Sequence, residues 1–103
     1  MWVRDYISLI EFFTVVLVCA PNRFFKEDYL EEHEQLTLEN AFAELRQGLH
    51  FATDQMKDKA LVSEIRSGVE AAYETYRAGK TIEGARILQA VEALVIKNSR
   101  ETR

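Results

Sequence analysis

Residues 62–76 carry the clearest pattern in the chain, an apolar stripe whose spacing alternates between three and four. Such a stripe lies along one face of an α-helix and predicts a helix with that face buried. The chain has only one Pro and four Gly in 103 residues, too few turn residues for the many short strands of a β-sandwich or barrel. We therefore expect an all-helical fold. The stripe consists of Val62, Ile65, Val69, Ala72 and Tyr76.

The same long helix has recognisable ends. Thr53 or Asp54 is placed to cap its start, and Gly79 stands where a helix needs a left-handed residue to end. Thr81 can then cap a last helix, and the short connection between the two predicts a C-terminal antiparallel hairpin. Residues expected to face inward from the last helix are Ile87, Leu88, Val91, Leu94 and Val95.

The first segment is apolar on two sides. Leu9, Phe12 and Val16 form a second apolar face beside the main stripe, so this helix either lies centrally in a bundle or meets another protein. The β-branched residues 14–16 leave a short strand within 14–18 as an alternative. The main stripe consists of Val3, Ile7 (or Tyr6), Ile10, Phe13 and Leu17.

Pro21 and Asn22 break the chain, with Asn22 a candidate cap for the next helix. Two further stripes are out of phase across Thr37, which predicts two helices or a kink there, with Thr37 as a cap. The first comprises Phe25, Tyr29, His33 and Leu36, and the second comprises Leu38, Phe42, Leu45 and Leu49. The sequence thus predicts a single domain, residues 1–103, built as a bundle of four or five helices.

Charge is unevenly distributed. The stretch 27–44, here called the acidic segment, holds seven of the 17 carboxylates and none of the 13 Lys and Arg residues. The net charge of −4 comes entirely from this segment, because the rest of the chain is slightly basic. Nucleic-acid binding is not expected, since phosphates call for a basic stripe.

The apolar run 7–20 is interrupted by Glu11 and is shorter than the roughly 20 residues that span a bilayer. Its flanks do not fit a signal peptide, so we expect a buried helix in a cytoplasmic protein. Cys19 is the only cysteine, which leaves no internal disulfide, and is expected to pack as a small buried hydrophobe.

Motifs for catalysis are incomplete. The stretch "HEQLT" begins like a zinc-protease helix but has Thr37 where the second His is needed. The stretch "AGKT" lacks the earlier glycine of a phosphate-binding loop, since position 74 is Glu. We expect no catalytic residues, metal, cofactor or small-molecule substrate. An enzyme would need a deep pocket in which His33 or His50 meets a carboxylate.

The opening "DYISLIEFF", the glutamate-rich second segment and the closing "YETYRAGKTIEGARILQAVEALV" resemble the all-helical immunity proteins of bacterial toxin systems, including contact-dependent growth inhibition. The resemblance covers the general layout of most of the chain and rests on no invariant motif. It implies a protein that blocks a toxin, often a nuclease, made by the same cell or its siblings.

These observations together predict a non-enzymatic module that forms a heterodimer with a basic toxin. Carboxylates suited to pairing with Lys or Arg of that toxin are Glu27, Asp28, Glu31, Glu32, Glu34 and Glu39. A solvated acidic face without a partner is the alternative for the segment itself. For the whole protein, the alternative is a homo-oligomeric helical adaptor or regulator whose first helix buries Phe12 and Val16 between subunits.

Overall fold

The computed structural model describes residues 3–20, 24, 26, 29–31, 35–54 and 56–100. Throughout these ranges the regular structure is helical and contains no strand, which confirms the all-helical fold. Four longer helices pack around one core, and a single-turn helix follows the second of them. The elements are α1 (Tyr6–Cys19), α2 (Leu38–Gly48), α3 (His50–Thr53), α4 (Lys59–Arg77) and α5 (Thr81–Arg100).

Helix α1 begins with a reciprocal cap. The Asp5 carboxylate accepts a hydrogen bond from the backbone N–H of Ser8 at 2.8 Å, and the Ser8 hydroxyl accepts one from the N–H of Asp5 at 3.0 Å. These bonds from Ser8 lower the pKa of Asp5. The helix continues to Cys19, so the alternative of a strand within 14–18 is wrong. Burial of Val16 on this helix outweighs the weak helix propensity of β-branched residues.

The inward face of α1 differs from the predicted stripe at one position. Ile7 is 68% exposed, whereas the alternative at that point, Tyr6, packs against the core. Val3 and Phe13 are buried as predicted, and Cys19 is buried in agreement with its expected packing role.

The prediction of a helix across residues 25–36 is wrong for the residues that the structure describes there. Tyr29, Leu30 and Glu31 are not helical, and neither is the stretch 35–37. Phe25, His33 and the candidate cap Asn22 lie outside the described residues. Thr37 is confirmed as the N-cap of α2, because its hydroxyl accepts a hydrogen bond from the N–H of Asn40 at 3.1 Å.

Helix α4 starts later than predicted. Asp58, and not Thr53 or Asp54, caps it by accepting hydrogen bonds from the N–H groups of Ala60 and Leu61 at 3.0 and 3.2 Å. Thr53 is instead the last residue of α3, and Asp54 follows it as the C-cap.

The turn between α4 and α5 confirms the predicted antiparallel hairpin. Gly79 has a φ of 84°, and the N–H of Lys80 donates to the carbonyl of Thr75 at 3.1 Å. This is the six-to-one bond of a Schellman turn, which requires a left-handed residue at the Gly79 position. The prediction that Thr81 caps α5 is wrong: Thr81 is the first residue of the helix, and Lys80 is in the cap position because its carbonyl accepts the first helical bond, from the N–H of Gly84.

The core lies where α4 and α5 meet α1 and α2. The stripes predicted for α2, α4 and α5 point inward, except that Val62 at the start of the α4 stripe is only half-buried and does not join the core. Over the described ranges, no helix combines the length and the apolarity needed to cross a membrane. Fully buried large side chains include Leu9, Phe13, Phe42, Leu45, Ile65, Val69, Leu88 and Val95.

Candidate partner-binding surface

The acidic segment is the first candidate surface. Of its six proposed contact residues, Glu31 and Glu39 are described, and both are exposed. Glu27, Asp28, Glu32 and Glu34 lie outside the described residues. Glu39 stands in the first turn of α2, where a carboxylate interacts favourably with the positive end of the helix dipole.

Two amide side chains hold the backbone of the residues just before α2. Gln35 is only 8% exposed, and its Nε2 donates to the carbonyl of Leu30 at 2.9 Å. Asn40, in the first turn of α2, donates from Nδ2 to the carbonyl of Gln35 at 2.8 Å. The backbone carbonyls of Leu30 and Gln35 are thereby held by side chains instead of by helical bonds. Residues 29–31 and 35–37 thus have a defined path without being helical.

Tyr29 adds an aromatic side chain to this surface. It is 76% exposed and lies two residues before Glu31. Tyrosine is enriched at protein interfaces because its ring buries a large area while its hydroxyl still forms hydrogen bonds. Glu44, by contrast, turns inward, since its carboxylate accepts a hydrogen bond from the N–H of Val3 at 3.3 Å. A partner of this segment can therefore reach the side chains of Tyr29, Glu31 and Glu39.

A second candidate surface runs along α1. Ile7 and Val18 are 68% and 69% exposed, Val15 is 37% exposed, and Glu11 and Thr14 are exposed on the same side. We call these five residues the α1 outer face. The sequence indicated that α1 is apolar nearly all round, but it did not distinguish this face from the buried one. Val15 and Val18 were missed for that reason.

The burial pattern also corrects the predicted subunit interface. Phe12 and Val16 are 4% and 0% exposed within a single chain, because they pack in its own core. They are therefore not available to a second subunit. An interface on α1 would use the α1 outer face instead.

A shallow groove of about 270 Å³ separates α2 from α4. Across it Arg46 forms a two-pronged ion pair with Glu70, with Nη2 3.0 Å from a carboxylate oxygen. The Glu70 carboxylate raises the pKa of Arg46, and the guanidinium stacks 4.8 Å from the ring centre of Tyr73. This pairing joins the two helices. Residues lining the groove are Arg46, Leu49, Arg66, Ser67 and Glu70.

The groove does not bring His50 to a carboxylate, the arrangement that an enzyme was expected to need. The Nδ1 atom of His50 lies 2.6 Å from the carbonyl oxygen of Gln47, three residues earlier in the chain. Because a carbonyl oxygen only accepts, Nδ1 is the donor of this hydrogen bond. His33 is outside the described residues. Within the described ranges, no group of three or more His, Cys, Asp or Glu side chains could hold a metal ion.

Comparisons with known proteins add no relative. The chain matches no protein-family model, no curated protein and no solved structure.

Proposed function

We propose that this chain is a non-enzymatic protein-binding module that neutralises a basic partner through its acidic segment. The observation that supports the proposal is the pair of hydrogen bonds that hold the non-helical backbone at Leu30 and Gln35 in front of α2, with Tyr29, Glu31 and Glu39 exposed nearby. A segment already held in one conformation loses less entropy when it binds, so more of the interaction energy appears as affinity.

Charge supplies the specificity. Seven carboxylates within residues 27–44, with no Lys or Arg among them, create a negative potential that attracts a basic surface and repels an acidic one. A nuclease has such a basic surface because it must bind phosphates. Carboxylates placed over it compete with the nucleic acid. Inhibition of this kind needs no catalytic residue in the inhibitor.

The resemblance to helical immunity proteins favours a specific partner, the toxin made by the same cell or its siblings. In that role the chain binds a cognate nuclease as a heterodimer and blocks it. Such a toxin would be the C-terminal domain of a large secreted protein encoded next to this chain. The acidic segment would then cover the nucleic-acid site of the toxin.

The test starts with that neighbouring toxin domain. Its expression in a bacterial host should stop growth, and co-expression of this chain should restore it. Purified proteins should associate rapidly at low salt, with a rate that falls steeply as salt screens the charges. The variant E31K/E32K/E34K should slow association at least tenfold and leave the thermal midpoint nearly unchanged.

A matched variant separates the acidic segment from net charge. Glu64, Glu74 and Glu83 are exposed on α4 and α5, and E64K/E74K/E83K changes the net charge by the same amount. This control should associate nearly as fast as the wild type. Equal slowing by both variants, or no slowing by the first at low salt, would contradict a role for the acidic segment.

A further inference from the structure

Two arginines line the groove between α2 and α4, and they differ in their partners. Glu70 holds the guanidinium of Arg46 with both carboxylate oxygens, so the charges of these two side chains cancel. Arg66 lies on the α4 side of the groove and is exposed. It forms no hydrogen bond or ion pair with any residue in the described ranges. Its guanidinium is therefore available to a group from outside the chain.

The groove has an apolar floor. Leu49 lines it and is 1% exposed, so this side chain lies at the bottom and not at the rim. A carboxylate covered by a partner at this point is shielded from water, and a planar guanidinium binds it with two parallel hydrogen bonds. The volume of about 270 Å³ is below the roughly 300–1,000 Å³ of small-molecule pockets. The groove therefore suits a side chain that protrudes from another protein better than a separate small molecule.

The groove lies on the same side of α2 as Glu39, an exposed residue of the acidic segment. Arg46 follows Glu39 by seven residues, which is two helical turns or about 10 Å along the helix. A standard protein interface covers roughly 800 Å² on each partner and is about 30 Å across. A protein that docks on Glu39 therefore also covers the groove.

We propose that a carboxylate of the basic partner enters this groove and pairs with Arg66, which makes Arg66 a specificity-determining residue. The inference rests on the proposed function, because it extends the same binding surface along α2. Carboxylates of the acidic segment attract Lys and Arg of the partner, and Arg66 requires an Asp or Glu farther along. A basic protein with Lys or Arg at that point is repelled. The chain then selects its partner by an unfavourable contact as well as by favourable ones.

The first experiment measures how a charge reversal changes affinity for the neighbouring toxin domain. Arg66→Glu makes the chain more negative, so net charge alone predicts tighter binding of a basic partner. The inference predicts the opposite sign, a loss of about tenfold or more in affinity, because the carboxylate of the partner then meets another carboxylate. Arg66→Gln should lose part of this affinity.

The matched control is Arg86→Glu, which changes the net charge by the same amount at an exposed position of α5. It should bind the toxin domain as tightly as the wild type or slightly more tightly. Unchanged or tighter binding by Arg66→Glu, or an equal loss in both variants, would overturn the inference.

A second probe separates specificity from net charge. An oligolysine peptide with an amidated C-terminus has no carboxylate to enter the groove. At low salt, Arg66→Glu and Arg86→Glu should bind it equally well, and no more weakly than the wild type. Weaker binding by Arg66→Glu alone would show that the substitution disturbs the acidic segment itself, and would overturn the inference.

A charge exchange identifies the residue of the partner. Each exposed Asp or Glu of the toxin domain is replaced singly by Lys, and one of these variants should restore binding to Arg66→Glu. A complete scan in which none restores it would contradict the pairing. Loss of binding by E31K/E32K/E34K with unchanged binding by Arg66→Glu would overturn this inference and leave the proposed function standing. The reverse result would contradict the role of the acidic segment and support the groove contact.

Discussion

Gly68 of α4 packs directly against Val91 of α5, so closely that a Cβ atom at Gly68 would overlap Cγ2 of Val91. Val91 is 3% exposed and β-branched, so it has little freedom to move aside. This contact sets the distance between the two helices of the hairpin. Ala at position 68 would improve helix propensity by about 1 kcal/mol, whereas overpacking a core costs about 1–3 kcal/mol.

Gly68→Ala should therefore lower the free energy of unfolding by up to about 2 kcal/mol after the propensity gain is subtracted. In the variant G68A/V91A the added methyl group finds room, so its cost should largely vanish. Urea unfolding of the four proteins of this double-mutant cycle measures the coupling. Ser67→Ala, at the exposed neighbouring position, is the control and should be neutral or slightly stabilising. Additive effects of the two substitutions would mean that Val91 does not contribute to the cost of the methyl group added at position 68.

Replacing Tyr76 with Phe should stabilise the fold. Its side chain is 2% exposed, and its hydroxyl has no hydrogen-bond partner among the described residues. An unsatisfied buried hydroxyl destabilises the fold, so Tyr76→Phe should raise the free energy of unfolding by about 1 kcal/mol. Thermal and urea unfolding measure the change. A loss of more than about 1 kcal/mol would show that the hydroxyl is hydrogen-bonded in solution.

Ionisation of Tyr76 should lower the stability of the fold at alkaline pH. Burial raises the pKa of Tyr76 above its ordinary value of 10.0, because the charged phenolate is poorly solvated in the core. The protonated phenol therefore makes its full contribution to stability below the pKa of the unfolded state. That contribution is lost as pH rises through the pKa of the folded state. The wild type should lose more stability between pH 9 and about 11 than Tyr76→Phe. Parallel curves for the two proteins would contradict this.

The carboxyl group of Glu92 should make the stability of the fold depend on pH in the acidic range. Partial burial on α5 raises the pKa of its carboxyl above 4.5, so the ionised form destabilises the fold. Glu92→Gln should therefore be more stable than the wild type at pH 7, and the difference should shrink as pH falls through the folded pKa toward 4. Gln89→Ala, exposed on the same helix and not titratable, is the control and should leave the pH dependence of stability as it is in the wild type. Urea unfolding at several pH values measures both.

The start of α4 depends on one side chain. Asp58→Ala removes the acceptor for two backbone N–H groups and should cost about 1 kcal/mol of stability. Asp54→Ala removes a similar exposed carboxylate that does not cap α4 and should stay within about 0.5 kcal/mol of the wild type. Equal losses would mean that α4 begins earlier in solution.

Gln35 should control the acidic segment without changing its charge. Gln35→Ala removes the bond to the Leu30 carbonyl and should speed amide hydrogen exchange across residues 29–37. It should also weaken partner binding several-fold, since the segment must then be ordered on binding. Gln47→Ala, exposed on α2, is the control. Unchanged exchange in Gln35→Ala would show that other contacts hold the segment.

The sequence determined most of the helices and one of the turns. The stripes of α2, α4 and α5 each have one apolar side, so their inward faces followed from spacing alone. Thr37 and Gly79 were predictable because capping and left-handed turns depend on residues next to each other in the chain. The exposure of Glu31 and Glu39 was also expected from their charge.

Tertiary structure decided the rest. On α1 two faces are nearly equally apolar, so only packing against α2 and α5 selected Phe12 and Val16 for the core and left Ile7 and Val18 outside. Residues 25–36 have helical spacing, yet the backbone around Gln35 is held by the side-chain amides of Gln35 and Asn40, which the spacing of apolar residues does not predict. Spacing in a sequence specifies which side chains share a face. Which of two similar faces becomes buried depends on the neighbours that the fold brings to it.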